Sequence, residues 1–190
     1  MTRTTYAIGL GSNRWSRFGP PARALDAAVS VLAAEDMEVL ARSPLLATPA
    51  MGGAGRRFVN ATLLVETDLS PPELMRTLQA IERAFGRRPG RRWGPRVLDL
   101  DILLWSQGAF PGERQGSALS RSMQPDRLGS GVRRGTPVVP HPGLPTRAFV
   151  LKPLFRIAPT WRVPPTGHTV RHLRARLARP RPVDRAGLPA

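Results

Sequence analysis

Thr5-Tyr6-Ala7-Ile8 is a short apolar run that predicts a strand, and Gly9-Leu10-Gly11-Ser12-Asn13 behind it predicts a tight turn. Beyond Pro20-Pro21, Leu25, Ala28, Val29 and Leu32 fall at i, i+3, i+4 and i+7, the apolar face of a helix. Residues 38–47 read as a second strand, closed by Thr48-Pro49 and a glycine-rich loop, Gly52-Gly53-Ala54-Gly55. Phe58 to Thr67 alternates as a third. Ser70-Pro71-Pro72-Glu73 then has the form of a helix start, with an N-cap serine, proline in the first turn and a glutamate placed for a capping box. Leu74, Leu78, Ile81 and Phe85 mark the buried face of that helix, and Gly86 ends it. Val97 to Trp105 is the fourth strand. The order βαββαβ predicts an α+β fold of ferredoxin-like type, an antiparallel sheet with helices packed on one face, plus C-terminal additions.

Two segments lie outside this scheme. Residues 106–137 contain six Gly, five Ser and three Pro, the composition of a long surface loop. From Arg171 onward, Leu173 and Leu177 stand at helical spacing and are followed by Pro180 and Pro182, which predicts a short basic helix and a tail. One domain over residues 1–170, carrying 106–137 as an insertion, is therefore expected to precede a basic 171–190 extension. No internal repeat is visible.

Composition narrows the chemistry. With 190 residues, 41% of them hydrophobic, the chain is expected to fold into a packed core. The absence of cysteine excludes disulfides, thiolate-bound zinc, iron–sulfur clusters and a thiol nucleophile. No run approaches the roughly 20 apolar residues of a membrane span, so a cytoplasmic protein without a membrane partner is expected. The net charge of +16 first suggests nucleic acid. Its distribution argues otherwise. Residues 1–82 hold eight Arg against eight acids, residues 83–96 hold six Arg and no acid, and Asp99 and Asp101 follow directly.

Asp99 and Asp101 are one residue apart on a predicted strand, so both carboxylates leave the same face. They repel each other unless a cation lies between them. The arginine-rich, Gly/Pro-broken segment before them, Gly86 to Arg96, supplies donors whose planar fork suits phosphate oxygens. Carboxylates cannot bind phosphate directly but can hold a Mg²⁺ that does. Together the two groups indicate a metal–polyphosphate site. Gln79 and Glu82 share a flank of the second helix, where Glu82 is either an exposed helical acid or a support for that site.

The run Arg92-Trp93-Gly94-Pro95-Arg96-Val97-Leu98-Asp99-Leu100-Asp101-Ile102-Leu103 resembles the signature of the 6-hydroxymethyl-7,8-dihydropterin pyrophosphokinases of folate biosynthesis. Gly11-Ser12-Asn13, Phe58-Val59-Asn60-Ala61, Ile81-Glu82, Val139-Pro140-His141 and Arg147-Ala148-Phe149-Val150-Leu151 extend the resemblance in the family's order. It implies transfer of the β,γ-diphosphoryl unit of ATP, with two Mg²⁺ ions, to the pterin hydroxymethyl oxygen, leaving AMP. By the same resemblance Asp99 and Asp101 ligate the metals, with Arg87 and Arg96 beside them in catalysis. Gln79, Arg87, Trp93, Arg96, His141 and Arg147 match ATP-binding positions. Thr48, Pro49, Phe58, Asn60 and Phe149 match the pterin site, the two phenylalanines as a stacking clamp and Asn60 as reader of the polar edge. The family implies a monomer and no nucleic-acid partner. An RNA-binding module of the same topology is the rival class, but it requires exposed aromatics on the central strands, and acids occupy the fourth strand here.

Overall fold

The computed structural model describes residues 2–49, 56–87, 96–111 and 136–179. Strand β1 (Thr4–Ser12) leads to helix α1 (Pro21–Ala34), then to β2 (Glu38–Arg42), β3 (Leu46–Thr48) and β4 (Phe58–Thr67). Helix α2 (Pro71–Ala84) returns the chain to β5 (Asp99–Trp105). The main sheet has the order β2-β4-β1-β5, with β3 also paired to β4, and the four strand pairings are antiparallel. This is the expected ferredoxin-like arrangement.

Three details depart from the sequence reading. The anticipated turn at Gly9–Asn13 is strand as far as Ser12, because β1 pairs with β4 through Ser12 and with β5 through Gly11. The second strand is divided in two around Ser43-Pro44-Leu45, where proline lacks the N–H that a ladder needs. Strand β5 begins at Asp99 rather than Val97. The capping box at Ser70 forms as expected: the Glu73 carboxylate accepts from the Ser70 N–H at 2.9 Å. Gly86 ends α2 at φ +92°, a conformation that favours a residue without Cβ.

The sheet is covered on both sides. Tyr6, Ile8 and Leu10 of β1 join Leu25, Leu32, Leu74 and Leu78 of α1 and α2 in one core. Ala7 joins Leu103 and Leu104 in a second core, built with Leu151 and Leu154 of α3 (Ala148–Ile157), Val163 of the β6 (Arg162–Val163) and β7 (His168–Thr169) hairpin, and Val170 and Leu173 of α4 (Val170–Ala178). The C-terminal additions thus form a second layer on the face that α1 and α2 leave open. Helix α3 was absent from the pattern reading, although Val150, Leu151 and Leu154 carry its buried face; Pro153 inside it masks the helical signal. Of the 106–137 insertion, residues 106–111 and 136–137 are among the described residues, and Phe110 pairs in a bridge with Val139 just beyond it. No helix among the described residues is long and apolar enough to cross a membrane.

Candidate active site

The pairing register sets the floor of the site. Gly11 stands between Asp99 on β5 and Asn60 on β4, and Gly9 stands between Asp101 and Thr62. Because strand side chains alternate, these six residues share one face, the same face as Ala7 and therefore the one that α3 covers. A Cβ on Gly11 would lie 3.3 Å from Asn60 Oδ1, and one on Gly9 would lie 3.2 Å from the Leu103 side chain. Glycine at both positions lets the neighbouring strands' groups close over a bare backbone. Two glycines at a spacing of two, inside an apolar run, were the signal for this floor.

On the β5 side, Asp99 is surrounded by arginines. The Arg96 guanidinium bonds Asp99 Oδ1 directly, and Arg87 Nη1 approaches the same oxygen at 3.2 Å. Burial pushes the Asp99 carboxyl above its ordinary range, and the Asp101 charge pushes it the same way while the arginines oppose both. Arg87 also bonds Glu82 Oε1. Glu82 is 2% exposed, and its Oε1 accepts from the Leu100 N–H at 2.8 Å. That donor belongs to an edge strand, so the glutamate supplies a partner no strand provides. Burial, the largest cause, raises the Glu82 carboxyl as well. The plain alternative of an exposed helical acid is therefore overturned. Gln79 lies half-buried one turn earlier on α2.

Asn13 is a residue the pattern reading did not single out for a role. It is 3% exposed and grips the backbone of Arg96 twice: the Asn13 N–H donates to the Arg96 carbonyl at 3.0 Å, and Asn13 Oδ1 accepts from the Arg96 N–H at 2.7 Å. The loop after it is pinned to the end of α2, where Phe18 stacks on Phe85 at 4.2 Å and Arg17 bonds the Ala84 carbonyl at 3.0 Å. The start of β5 and the end of α2, the two bases of the arginine-rich segment, are thus tied to one loop. Trp93, within that segment, lies outside the described residues, as does the 50–55 glycine-rich loop.

His141 is held beside β5 by its own N–H, which donates to the Leu103 carbonyl at 3.0 Å. Its Nδ1 accepts from the Gly143 N–H at 2.9 Å, so the ring offers Nε2–H as its donor. Burial lowers its pKa, with Arg147 acting in the same sense and Asp101 against it. The Arg147 side chain packs where a Gly143 Cβ would stand, 2.5 Å from that position, and its guanidinium lies 5.9 Å from the Phe149 ring. Across the floor, Asn60 Nδ2 donates to Thr48 Oγ1 at 3.0 Å, and Phe58 pairs with Thr48. Pro49 follows, exposed. Phe149, half-buried in the first turn of α3, packs against the second core. The two phenylalanines make no ring contact with each other among the described residues, so the slot between their elements is not closed by stacking.

A carboxylate pair with arginines on one side of a glycine floor, and an amide, a hydroxyl and aromatic rings on the other, is the donor set of a phosphotransfer enzyme with a flat polar acceptor. Residues 7–159 match the family model described as 7,8-dihydro-6-hydroxymethylpterin-pyrophosphokinase (HPPK), and the chain belongs to that family. It is 37% identical over 164 residues to the 2-amino-4-hydroxy-6-hydroxymethyldihydropteridine pyrophosphokinase of Synechocystis sp., covering 86% of this chain and 71% of that protein. The enzyme of the same name from Methylorubrum extorquens is 37% identical over 179 residues, 93% of this chain and 94% of its own. Among solved structures, wild-type HPPK-DHPS of Plasmodium falciparum shares the fold with a TM-score of 0.63 at 13% identity, over 92% of this chain. The match spans 41% of that longer chain.

Proposed function

We propose that the chain transfers the diphosphoryl group of ATP to 6-hydroxymethyl-7,8-dihydropterin, giving AMP and the pterin diphosphate for folate biosynthesis. The hydroxymethyl oxygen forms a bond to the β-phosphorus, the bond from that phosphorus to the α,β-bridging oxygen breaks, and the hydroxyl proton is released. The observation that supports this reading is the shared face of Asp99, Asp101, Gly11 and Asn60, two acids and an amide on one floor.

Asp99 and Asp101 offer hard oxygen donors from one strand face, which suits Mg²⁺, an ion bound through one or two carboxylates and completed by phosphate oxygens and water. Two ions are part of the proposal. When bound, Mg²⁺ neutralises phosphate oxygens and lowers the pKa of a coordinated hydroxyl. The chain's own groups bind and orient. Arg87 and Arg96, both on Asp99, stand ready to bond phosphate oxygens, and Asn13 holds the Arg96 backbone in place. His141 supplies a neutral Nε2–H donor, Gln79 an amide and Arg147 a cation for the triphosphate. Trp93 is assigned to the same nucleotide. Phe58 and Phe149 stack on the pterin, and Asn60 with Thr48-Pro49 reads its polar edge. A monomeric cytoplasmic enzyme, folded as one domain to residue 170, completes the proposal.

The test is AMP formation from ATP and Mg²⁺ with and without the pterin. Pterin-dependent AMP is expected; ADP as the product would mean transfer of a single phosphoryl group and sink the reading. Loss of one stacking face, in Phe149→Ala, is expected to raise the KM for pterin about tenfold while changing the KM for ATP less than about twofold. Equal losses for both substrates would remove Phe149 from the pterin site.

A further inference from the structure

Charge is unevenly divided between the two layers. From residue 136 to residue 179 the chain carries seven arginines and one lysine and no carboxylate. This segment is the layer of α3, the β6–β7 hairpin and α4 that covers the substrate face of the sheet. Among the described residues, the ion pairs all lie elsewhere, in Arg3–Glu38, Arg42–Asp26 and the Arg87–Arg96 cluster around Glu82 and Asp99. Lys152 and Arg156 stand exposed one turn apart on α3, and Arg171 and Arg174 do the same on α4. Like charges at that spacing disfavour a helix, and no carboxylate among the described residues offsets them; Arg174 lies over the Phe155 ring at 4.2 Å, a contact that leaves its charge in place. The second helix, by contrast, opens on an acid and closes on a base. So the layer bears a positive charge that no carboxylate among its described residues neutralises.

We propose that the exposed cations of this acid-free layer on α3 and α4, Lys152, Arg156, Arg171, Arg174 and Arg176, form a capture surface for the anionic nucleotide, drawing ATP toward the substrate face by their long-range field and, unlike Arg147 at the site, making no contact in the bound complex. The inference rests on ATP being the phosphate donor. ATP is a polyanion and the pterin acceptor is neutral, so a long-range field acts on one substrate and spares the other. Arginine charge standing over one side of a site raises encounter rates, and mobile salt removes the effect once the screening length falls below the spacing of the charges.

The experiment is stopped-flow association of fluorescently labelled ATP with the full chain in Mg²⁺, as salt is raised from about 20 mM to about 500 mM. The association rate constant is expected to fall about tenfold or more, the dissociation rate constant to change less than about twofold, and pterin affinity at saturating nucleotide to stay constant. At low salt the double variant Arg171→Glu with Arg176→Gln is expected to associate at least about threefold more slowly, with a flatter salt dependence and unchanged kcat. Arg171 lies in the first turn of α4, where a carboxylate is favoured by the helix dipole, so its charge reversal does not undermine the fold. An unchanged association rate in that variant would overturn the proposal. So would the same salt dependence for the pterin, or tight retention of the layer on RNA. No nucleotide binding at any salt would strike first at the ATP reading and remove the proposal with it.

Discussion

Asp101→Asn is expected to lower pterin-dependent AMP formation about a thousandfold or more, roughly 4 kcal/mol of transition-state stabilisation, while the protein melts at the wild-type temperature or slightly above it. The two effects have one origin. Asp99 is compensated by Arg87 and Arg96, whereas Asp101 has no ion pair among the described residues. Its negative charge is thus exerted on Asp99, whose carboxyl is raised first by burial and next by Asp101. A carboxyl raised in the folded state costs stability at neutral pH, because the native protein holds its proton more tightly than the unfolded chain. Removing the Asp101 charge lowers the Asp99 pKa and relieves that cost. The same charge is what a phosphate-bound cation would require. Rates of AMP release and a thermal melt at pH 7 check both halves: full turnover would remove Asp101 from the chemistry, and a marked loss of stability would mean that its role is structural.

How legible this was in the sequence depends on whether a feature was local. The helix bounded by Ser70 and Gly86 was readable residue by residue, because cap, apolar face and terminator are all short-range. The acid pair on β5 was readable for the same reason, strand alternation needing no knowledge of partners. Glu82 was not decidable, since its burial depends on an edge-strand N–H at Leu100, eighteen residues away in sequence. Asn13 was hidden in the same way, its grip on Arg96 spanning 83 residues. Gly9 and Gly11 looked like a turn because glycine's local meaning is flexibility, while here it is set by crowding from Asn60 and Leu103 on other strands. Helix α3 was lost to Pro153, a local signal outweighed by packing on the second core.

That packing also explains why the face covered by α3 tolerates groups that contribute little to stability: its own core of Leu103, Leu104, Leu151 and Leu154 is fully buried. A raised carboxylate, a bare glycine floor and an uncompensated cationic layer all sit on the side covered by α3 and α4. The opposite side carries the other buried core, of leucines and isoleucines from α1, α2 and the sheet, and, among the described residues, no buried charged group of the candidate site other than Glu82.

Glu82 is where the two sides meet, and its replacement is expected to give the largest loss of stability. Glu82→Leu leaves the Leu100 N–H buried without an acceptor and removes one of the two carboxylates on Arg87. A cost of about 3 kcal/mol follows from an unsatisfied buried donor plus a broken buried pair. In a domain of this size that is roughly 6–12 °C in Tm. Glu82→Gln keeps an oxygen for Leu100 while removing the buried charge, so its cost at neutral pH is expected to be under about 1 kcal/mol. The pH dependence separates the two contributions. Burial raises the Glu82 carboxyl, so the native state binds more protons than the unfolded chain from the ordinary value of 4.5 up to the folded one. The group's contribution to stability is therefore full below 4.5 and is lost as pH rises through the folded pKa. Wild type should show that decline as pH rises above 4.5, superimposed on the rest of its titration, and the glutamine variant should lack it. Melting curves followed from about pH 4 upward through the alkaline limit of the folded protein decide the matter, since equal slopes for wild type and Glu82→Gln throughout would mean that the buried carboxyl is not raised. A leucine variant as stable as wild type would mean that Leu100 finds another acceptor.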